Sequence, residues 1–87
     1  MWVVEFDDAA AKELRTLDRH AQQEILRYLR ERIATNDDPR RFGKALAREL
    51  TGLWRYRVGN YRLICHLTDH RLIVLVLRVG HRKDIYE

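Results

Sequence analysis

Three arginines in the C-terminal half of the chain lie at the spacing of one face of a β-hairpin. Arg55 and Arg57 alternate with large apolar residues, and Arg62 follows the pair Gly59-Asn60, which is typical of a two-residue hairpin loop. If these two residues form the whole loop, Arg57 pairs directly with Arg62, and Arg55 lies beside Ile64 on the same face. Like charges placed opposite each other destabilise a sheet, so this arrangement favours binding of a phosphate or an acidic partner. The alternative is a solvated face on which the long side chains splay apart.

A second group of reactive side chains surrounds Gly80 near the C-terminus. It consists of Arg78, His81, Arg82, Lys83 and Tyr86. Cleavage of a phosphodiester without a metal needs cations that stabilise the charge of the phosphorane, a group that moves a proton and an aromatic ring that stacks a base. Histidine is the side-chain type whose unperturbed pKa lies nearest neutrality, which makes His81 a candidate for moving the proton. Gly80 is expected to allow a bulge that swings Arg82 over the sheet face. The simpler alternatives are a packing or surface role for the histidine and, for Tyr86, contact with the core.

Several other chemistries lack the residues they need. The chain contains no serine, which excludes a serine nucleophile. Its one cysteine, Cys65, falls on the hairpin face assigned to the core, where an inert packed thiol is expected. The carboxylates show no pairing suited to glycoside hydrolysis or metal binding, and no glycine-rich phosphate loop is present. We therefore expect no metal ion and no cofactor.

Charge is distributed unevenly along the 87 residues, whose formal net charge is +4. Residues 1–38 carry six basic and nine acidic side chains, whereas residues 39–87 carry eleven basic and four acidic ones. This asymmetry favours a polyanionic or acidic partner on the C-terminal half. The length predicts one domain, residues 1–87, with room for a shallow groove and not for a deep cavity. A lone cysteine and apolar runs far short of the ~20 residues of a membrane helix predict a cytoplasmic protein with no membrane partner.

The hydrophobic pattern positions these residues on an α+β framework. The predicted elements are a strand at 2–6, helices at 9–16 and 18–34, a short helical turn and loop at 40–50, and strands at 53–58, 61–67 and 72–79. The helical stripe and the hairpin face predicted to form the core comprise Ala21, Ile25, Tyr28, Leu29, Ile33, Trp54, Tyr56, Val58, Tyr61, Leu63 and Cys65. The expected architecture is a two-layer sandwich: one N-terminal strand, two helices, then a three-stranded antiparallel meander.

Two motifs resemble the RelE/ParE superfamily of bacterial toxins. They are the run at 50–63, which includes Trp54-Arg55-Tyr56-Arg57, and the run at 78–86, which includes Gly80-His81-Arg82. The resemblance extends over nearly the whole chain and is stronger to the RelE branch than to the ParE branch. It implies the RelE-like fold and a toxin of a type II toxin-antitoxin pair. It further implies a ribosome-dependent endoribonuclease that cuts mRNA in the ribosomal A site, held in a hetero-oligomer with an acidic, RelB-like antitoxin.

The resemblance also implies roles for individual residues. The family's site residues fall on Arg55, Arg57, Arg62, Arg82 and Tyr86. We expect Arg62 and Arg82 to bind the scissile phosphate, with Arg55 and Arg57, and also Arg78 and Lys83, on the flanking RNA. Well-known family members have lysines on the first meander strand where this chain has Arg55 and Arg57. Arginine stays protonated in proteins, so neither residue can act as a general base. Proton transfer would therefore involve Tyr86, His81 or the ribosome.

Two other functions remain open at this stage. A ParE-like inhibitor of DNA gyrase would use the same scaffold to bind a protein, without nuclease chemistry. A non-catalytic domain that binds an antitoxin or a nucleic acid would show strong salt dependence and no cleavage.

Overall fold

A computed structural model describes residues 1–46, 52–81 and 83. The elements in chain order are β1 (Val3–Phe6), α1 (Asp8–Thr16), α2 (Arg19–Tyr28), a π-helical turn (Leu29–Ile33), a 3-10 turn (Pro39–Arg41), β2 (Lys44–Ala45), β3 (Leu53–Val58), β4 (Tyr61–Thr68), a second 3-10 turn (Asp69–Arg71) and β5 (Ile73–His81). The predicted α+β class, with its two helices and C-terminal meander, is confirmed. None of the helices in these described ranges has the length and apolarity to cross a membrane.

One five-stranded sheet carries the fold, in the order β1-β5-β4-β3-β2. Strands β3, β4 and β5 form the antiparallel meander, and β1 pairs in parallel with β5, so that Val3 lies beside Ile73. Strand β5 is therefore interior to the sheet. Its position accounts for the apolar sequence on both of its faces, because an interior strand is the one most completely covered.

The predicted register of the β3–β4 hairpin is confirmed. Val58 pairs with Tyr61, and Arg57 pairs with Arg62. Gly59 adopts a φ of +58°, a conformation that glycine reaches without steric cost and that this tight turn uses. Because side chains alternate along a strand, this register fixes which residues of both strands face the helices.

The core lies between that sheet face and the two helices. Its hairpin members include Tyr56, Leu63 and Cys65, which are fully buried, and Val58. On the helical side, Ile25 and Ile33 belong to the predicted apolar stripe and are fully buried as well. Each helix begins at an aspartate N-cap: the Asp7 carboxylate accepts a hydrogen bond from the amide of Ala9, and the Asp18 carboxylate accepts one from the amide of Ala21.

Two local features differ from the prediction. The segment predicted as a helical turn and loop contains, besides the 3-10 turn, the two-residue strand β2, whose Lys44 pairs with Arg55. The prediction of a bulge at Gly80 is wrong, because Gly80 pairs with Arg62 in the regular ladder between β4 and β5. The irregularity of this ladder lies between Ile64 and Cys65 instead. The physical reason is the core: Val76 and Val79 are both buried, and residues three apart reach the same face only if an extra residue is inserted between them.

Candidate nucleic-acid interface

Four cations lie together on the sheet face that is turned away from the helices. Arg57 is directly opposite Arg62, and Lys44 of β2 is directly opposite Arg55. Cross-strand partners share a face, so two like-charged pairs lie next to each other on neighbouring strands. Lys44 and Arg57 are exposed, while Arg55 and Arg62 are half-buried. We refer to Lys44, Arg55, Arg57 and Arg62 as the basic cluster.

The basic cluster opens onto a groove at the edge of β3, beside β2. The groove has a volume of about 360 Å³, and its remaining lining is Tyr28, Phe42, Gly43 and Tyr56. Cations therefore form one side and aromatic rings the other. This is the combination with which proteins hold single-stranded nucleic acid, since the cations contact phosphates and the rings stack on bases.

The aromatic wall is fixed by hydrogen bonds from β3. The Trp54 Nε1 donates to the carbonyl oxygen of Phe42 at 2.6 Å, and the Tyr56 hydroxyl donates to the carbonyl oxygen of Pro39 at 2.8 Å. Burial raises the pKa of Tyr56 far above its usual value, so the hydroxyl remains a donor at any physiological pH. Gly43 has a φ of +73°, and a Cβ at this position would lie 2.8 Å from Tyr56 Cδ1. Only glycine lets the backbone pass this close to β3.

Edge-to-face contacts link the rings of the wall. The Tyr28 ring centroid lies 6.4 Å from that of Phe42 and 6.1 Å from that of Tyr56. Two guanidinium groups lie over Phe42, with the Cζ of Arg41 4.7 Å and the Cζ of Arg32 5.5 Å from the ring centroid. The partly exposed Phe42 ring thus already accepts planar cations on its surface.

A salt bridge connects the 3-10 turn that precedes Phe42 to the 3-10 turn that follows β4. The two terminal nitrogens of Arg40 donate to the two carboxylate oxygens of Asp69, each at 2.9 Å. The pair lowers the pKa of Asp69 and raises that of Arg40. Because this contact is bidentate, it orients the segment as well as attracting it.

The structure separates His81 from the basic cluster. His81 pairs with Tyr61, whose side chain packs against the core, so the register assigns His81 to the helix-covered face and Arg62 to the other. The rings of Tyr61 and His81 meet edge to face at 5.8 Å, and the backbone amide of Lys83 donates to His81 Nδ1 at 3.3 Å. The predicted site residues Arg82 and Tyr86 lie outside the described residues.

Arg78 is held at the far edge of the sheet, where β5 continues past β1. Its Nε donates to Glu13 Oε2 at 3.0 Å, and the amide of Val79 donates to Glu13 Oε1 at 2.8 Å. A carboxylate of α1 thus binds both the side chain and the backbone of β5. Arg78 anchors the first helix, and the structure does not bring it together with the groove.

Neither the Cys65 thiol nor the His66 imidazole, the two other side chains of β4 that could do chemistry, belongs to the basic cluster. Cys65 is fully buried, and burial raises the pKa of its thiol to about 12, so the thiolate that would be the nucleophile is not formed. His66 pairs across the hairpin with Leu53, and its Nδ1 lies 3.4 Å from the Thr68 hydroxyl. In the described part of the chain, no three His, Cys, Asp or Glu side chains come together as metal ligands.

The sequence does not predict five residues of the groove. Tyr28 and Tyr56 belong to the predicted core, and Phe42, Gly43 and Lys44 to the predicted turn and loop at 40–50. A signal was present in the run Phe42-Gly43-Lys44, an aromatic residue and a cation on either side of a glycine, but nothing local indicated that this run pairs with β3.

Comparisons with known proteins show the family of this chain and agree on its fold. The family model of the ParE toxin of type II toxin-antitoxin systems matches residues 4–86. The toxin RelG of Mycobacterium tuberculosis is 49% identical over 49 residues, and the match spans 56% of each chain, little more than half of that relative's length. Among solved structures, the RelBE2 toxin-antitoxin complex of M. tuberculosis is similar with a TM-score of 0.82 and 32% identity, over 93% of this chain and 91% of that one. The isolated Escherichia coli RelE toxin shares the fold, with a TM-score of 0.74 and 23% identity over 93% of this chain and 84% of that one. Since the family match extends over nearly the whole length and the fold agrees, the chain belongs to the RelE/ParE superfamily of toxins of type II toxin-antitoxin systems.

Proposed function

We propose that this toxin is a ribosome-dependent endoribonuclease that acts in the cytoplasm and inhibits translation by cutting mRNA in the ribosomal A site. The observation that supports this proposal is the basic cluster, in which Arg57 faces Arg62 beside the pair of Lys44 and Arg55. Two like-charged cross-strand pairs side by side destabilise the free sheet. A polyanion that crosses this face replaces the repulsion with attraction, and mRNA is such a polyanion.

The proposed reaction is transesterification within the RNA. The 2′-oxygen of one nucleotide attacks the adjacent phosphorus, and the bond from phosphorus to the 5′-oxygen of the next nucleotide breaks. The attacking hydroxyl loses a proton and the leaving oxygen gains one, so the products are a 2′,3′-cyclic phosphate and a 5′-hydroxyl. Arg62, with Arg82, binds the scissile phosphate and stabilises the charge that develops on its oxygens, while Arg55 and Arg57 hold the flanking backbone.

Proton transfer is assigned to Tyr86 or His81. Neither arginine of β3 can serve as a base, because a guanidinium stays protonated at every physiological pH. His81 belongs to the face opposite Arg62, so its ring would reach a phosphate bound by Arg62 only around the end of the sheet. Replacing His81 by Gln and Tyr86 by Phe, one at a time, identifies the group: the variant that loses the pH dependence of cleavage carried the proton.

The proposed partner is an acidic, RelB-like antitoxin that forms a hetero-oligomer with this toxin. The similar M. tuberculosis structure is a toxin-antitoxin complex. The charge of this chain, +4 overall and concentrated in residues 39–87, favours an acidic partner on the same surface as mRNA. Binding of the antitoxin should weaken as salt increases, because salt screens exposed charges.

The test is primer-extension mapping of a reporter mRNA in a reconstituted translation reaction, with a parallel reaction that lacks ribosomes. Cuts within codons that require translating ribosomes support the proposal. We expect Arg62→Ala to abolish the cuts and Arg19→Ala, which removes an exposed cation of α2, to leave them unchanged. Arg62→Gln, which keeps most of the side-chain length, guards against loss of folding, and a thermal melt of each variant checks it. Full cleavage by both Arg62 variants would remove this residue from the site.

A second candidate is a ParE-like inhibitor of DNA gyrase. It is favoured by the family description, which names the ParE toxin. In that case the basic cluster would bind an acidic protein surface, and mRNA would stay intact while translation continues. A supercoiling assay with purified gyrase would then show inhibition. A domain that only binds RNA or an antitoxin would neither cut mRNA in the translation reaction nor inhibit gyrase in the supercoiling assay.

A further inference from the structure

We propose that the groove at the edge of β3 binds one nucleotide of single-stranded RNA, with its base against the Phe42 ring and its phosphate between Lys44 and Arg57. The nature of the ligand follows from the proposed function, whereas the site itself follows from the geometry of the groove. It lies at the sheet edge, beside the positions proposed for the scissile phosphate, and adds a subsite for a neighbouring nucleotide.

The phosphate side of this subsite consists of two exposed cations. Lys44 and Arg57 both line the groove, and neither takes part in a salt bridge between residues that the structure describes. Other cations of the same region differ, since Arg40 is bound by Asp69 and Arg41 lies 3.3 Å from Asp37. Lys44 and Arg57 therefore keep their capacity to bind an anion.

The base side is the Phe42 ring. Phe42 is partly exposed, lines the groove and supports the guanidinium of Arg41 4.7 Å from its centroid. A nucleobase is planar like a guanidinium and stacks on aromatic rings with more contact area.

The wall is held in position before any ligand arrives. Hydrogen bonds from Trp54 and Tyr56 fix the carbonyl groups of Phe42 and Pro39, and Tyr28 supports the ring edge to face. Binding thus costs little ordering of the protein, which favours affinity. The volume of about 360 Å³ is within the range of small-ligand pockets.

The aromatic wall distinguishes RNA from an acidic peptide as the occupant. Carboxylates of a peptide would engage Lys44 and Arg57 but would gain nothing specific from a stacking ring. The groove offers both groups at once, and a nucleotide is the ligand that uses both. An acidic peptide is therefore the competing outcome of the test.

The experiment measures binding of a fluorescent 2′-O-methyl RNA decamer, which cannot be cleaved through its 2′-oxygens, to the purified full chain without ribosomes. We expect Phe42→Leu to weaken binding about 5- to 150-fold, as loss of one stacked base does, without changing the salt dependence. Lys44→Ala should reduce the slope of log K against log salt by about 0.7, the value for one phosphate of a single strand. Phe42→Trp keeps a stacking ring and should bind as tightly as the parent chain.

Two matched controls make the result specific. Phe6→Leu applies the same substitution to a partly buried ring that packs against the core away from the groove, and Lys12→Ala removes an exposed cation of α1. Equal effects of Phe42→Leu and Phe6→Leu would overturn the proposal, as would an equal loss of affinity for a glutamate-rich peptide in the Phe42→Leu variant. If Phe42→Leu weakens RNA binding while the parent chain cuts no mRNA on ribosomes, the subsite stands and the endoribonuclease proposal fails.

Discussion

The repulsion within the basic cluster makes a direct prediction about stability. Arg57 has Arg62 directly opposite and Arg55 two residues away on the same strand face. Replacing Arg57 by Gln removes its charge and keeps most of its length. We expect Arg57→Gln to increase the free energy of unfolding while it weakens RNA binding, because the same charge serves the ligand and opposes the fold.

The size of the gain follows from the register. A like-charged pair directly opposite in an antiparallel ladder costs about 0.2–1 kcal/mol, and the second arginine nearby favours the upper half of that range. In a domain of this size 1 kcal/mol shifts the Tm by about 4–8 °C. Arg57→Gln should therefore raise the Tm by about 2–8 °C at low ionic strength.

Calorimetry or circular dichroism in 10 mM and in 1 M salt provides the assay. The Debye length falls from about 30 Å to about 3 Å over this range, so the gain should shrink as salt increases. Arg57→Lys keeps the charge and serves as the matched control, with a Tm close to that of the parent chain. Arg62→Gln and the double variant complete a double-mutant cycle. This cycle gives the interaction energy between Arg57 and Arg62, because the other contacts of Arg62 cancel.

The reasoning is refuted if Arg57→Gln melts below the parent chain at 10 mM salt. It is refuted equally if the gain is the same at both salt concentrations, because the effect would then not be electrostatic. A coupling energy of zero in the cycle with Arg62→Gln would show that the two guanidinium groups avoid each other at no cost.

Two further predictions concern the scaffold. Gly43→Ala should lower the free energy of unfolding by about 1–3 kcal/mol, because the φ of +73° is unfavourable for alanine and the Cβ would clash with Arg55 and Tyr56. A denaturant melt measures this loss. Gly80→Ala, at a glycine without a positive φ, is the control. Cys65 should not react with a thiol reagent at pH 8 until the chain unfolds. Folding raises the pKa of this thiol from 9.0 to about 12, so the unfolded chain loses the proton first as the pH increases. The thiol therefore leaves the free energy of unfolding unchanged below pH 9 and lowers it by about 1.4 kcal/mol per pH unit between pH 9 and 12. Cys65→Ala should flatten this alkaline decline, and an unchanged slope would contradict the assignment.

The hairpin could be predicted in detail because local rules determine it. A two-residue loop at Gly59-Asn60 sets every pair of β3 and β4, and alternation then assigns each side chain to a face. The opposition of Arg57 and Arg62 follows from these two rules alone, without knowledge of the rest of the fold. The helices were similarly accessible, because Asp7 and Asp18 mark their beginnings.

The groove could not be predicted because distant segments create it. Strand β2 has only two residues, too few for a periodic pattern. Its pairing of Lys44 with Arg55 and the hydrogen bond from Trp54 to the Phe42 carbonyl both join segments that are far apart in the sequence. The insertion in β5 likewise has no local signal. It is required only because the helices bury both Val76 and Val79.

The parallel pairing of β1 with β5 also determines when the sheet can form during synthesis. Val3 pairs with Ile73, and β4, too, must wait for β5 before its second edge is covered. At about 5–20 residues per second, several seconds separate the appearance of β1 from that of its partner. During that interval the ribosome carries a nascent chain in which β1 is unpaired, because β5, the strand between β1 and β4, does not yet exist. The basic cluster therefore reaches its final support only after the ribosome that makes the chain has translated β5.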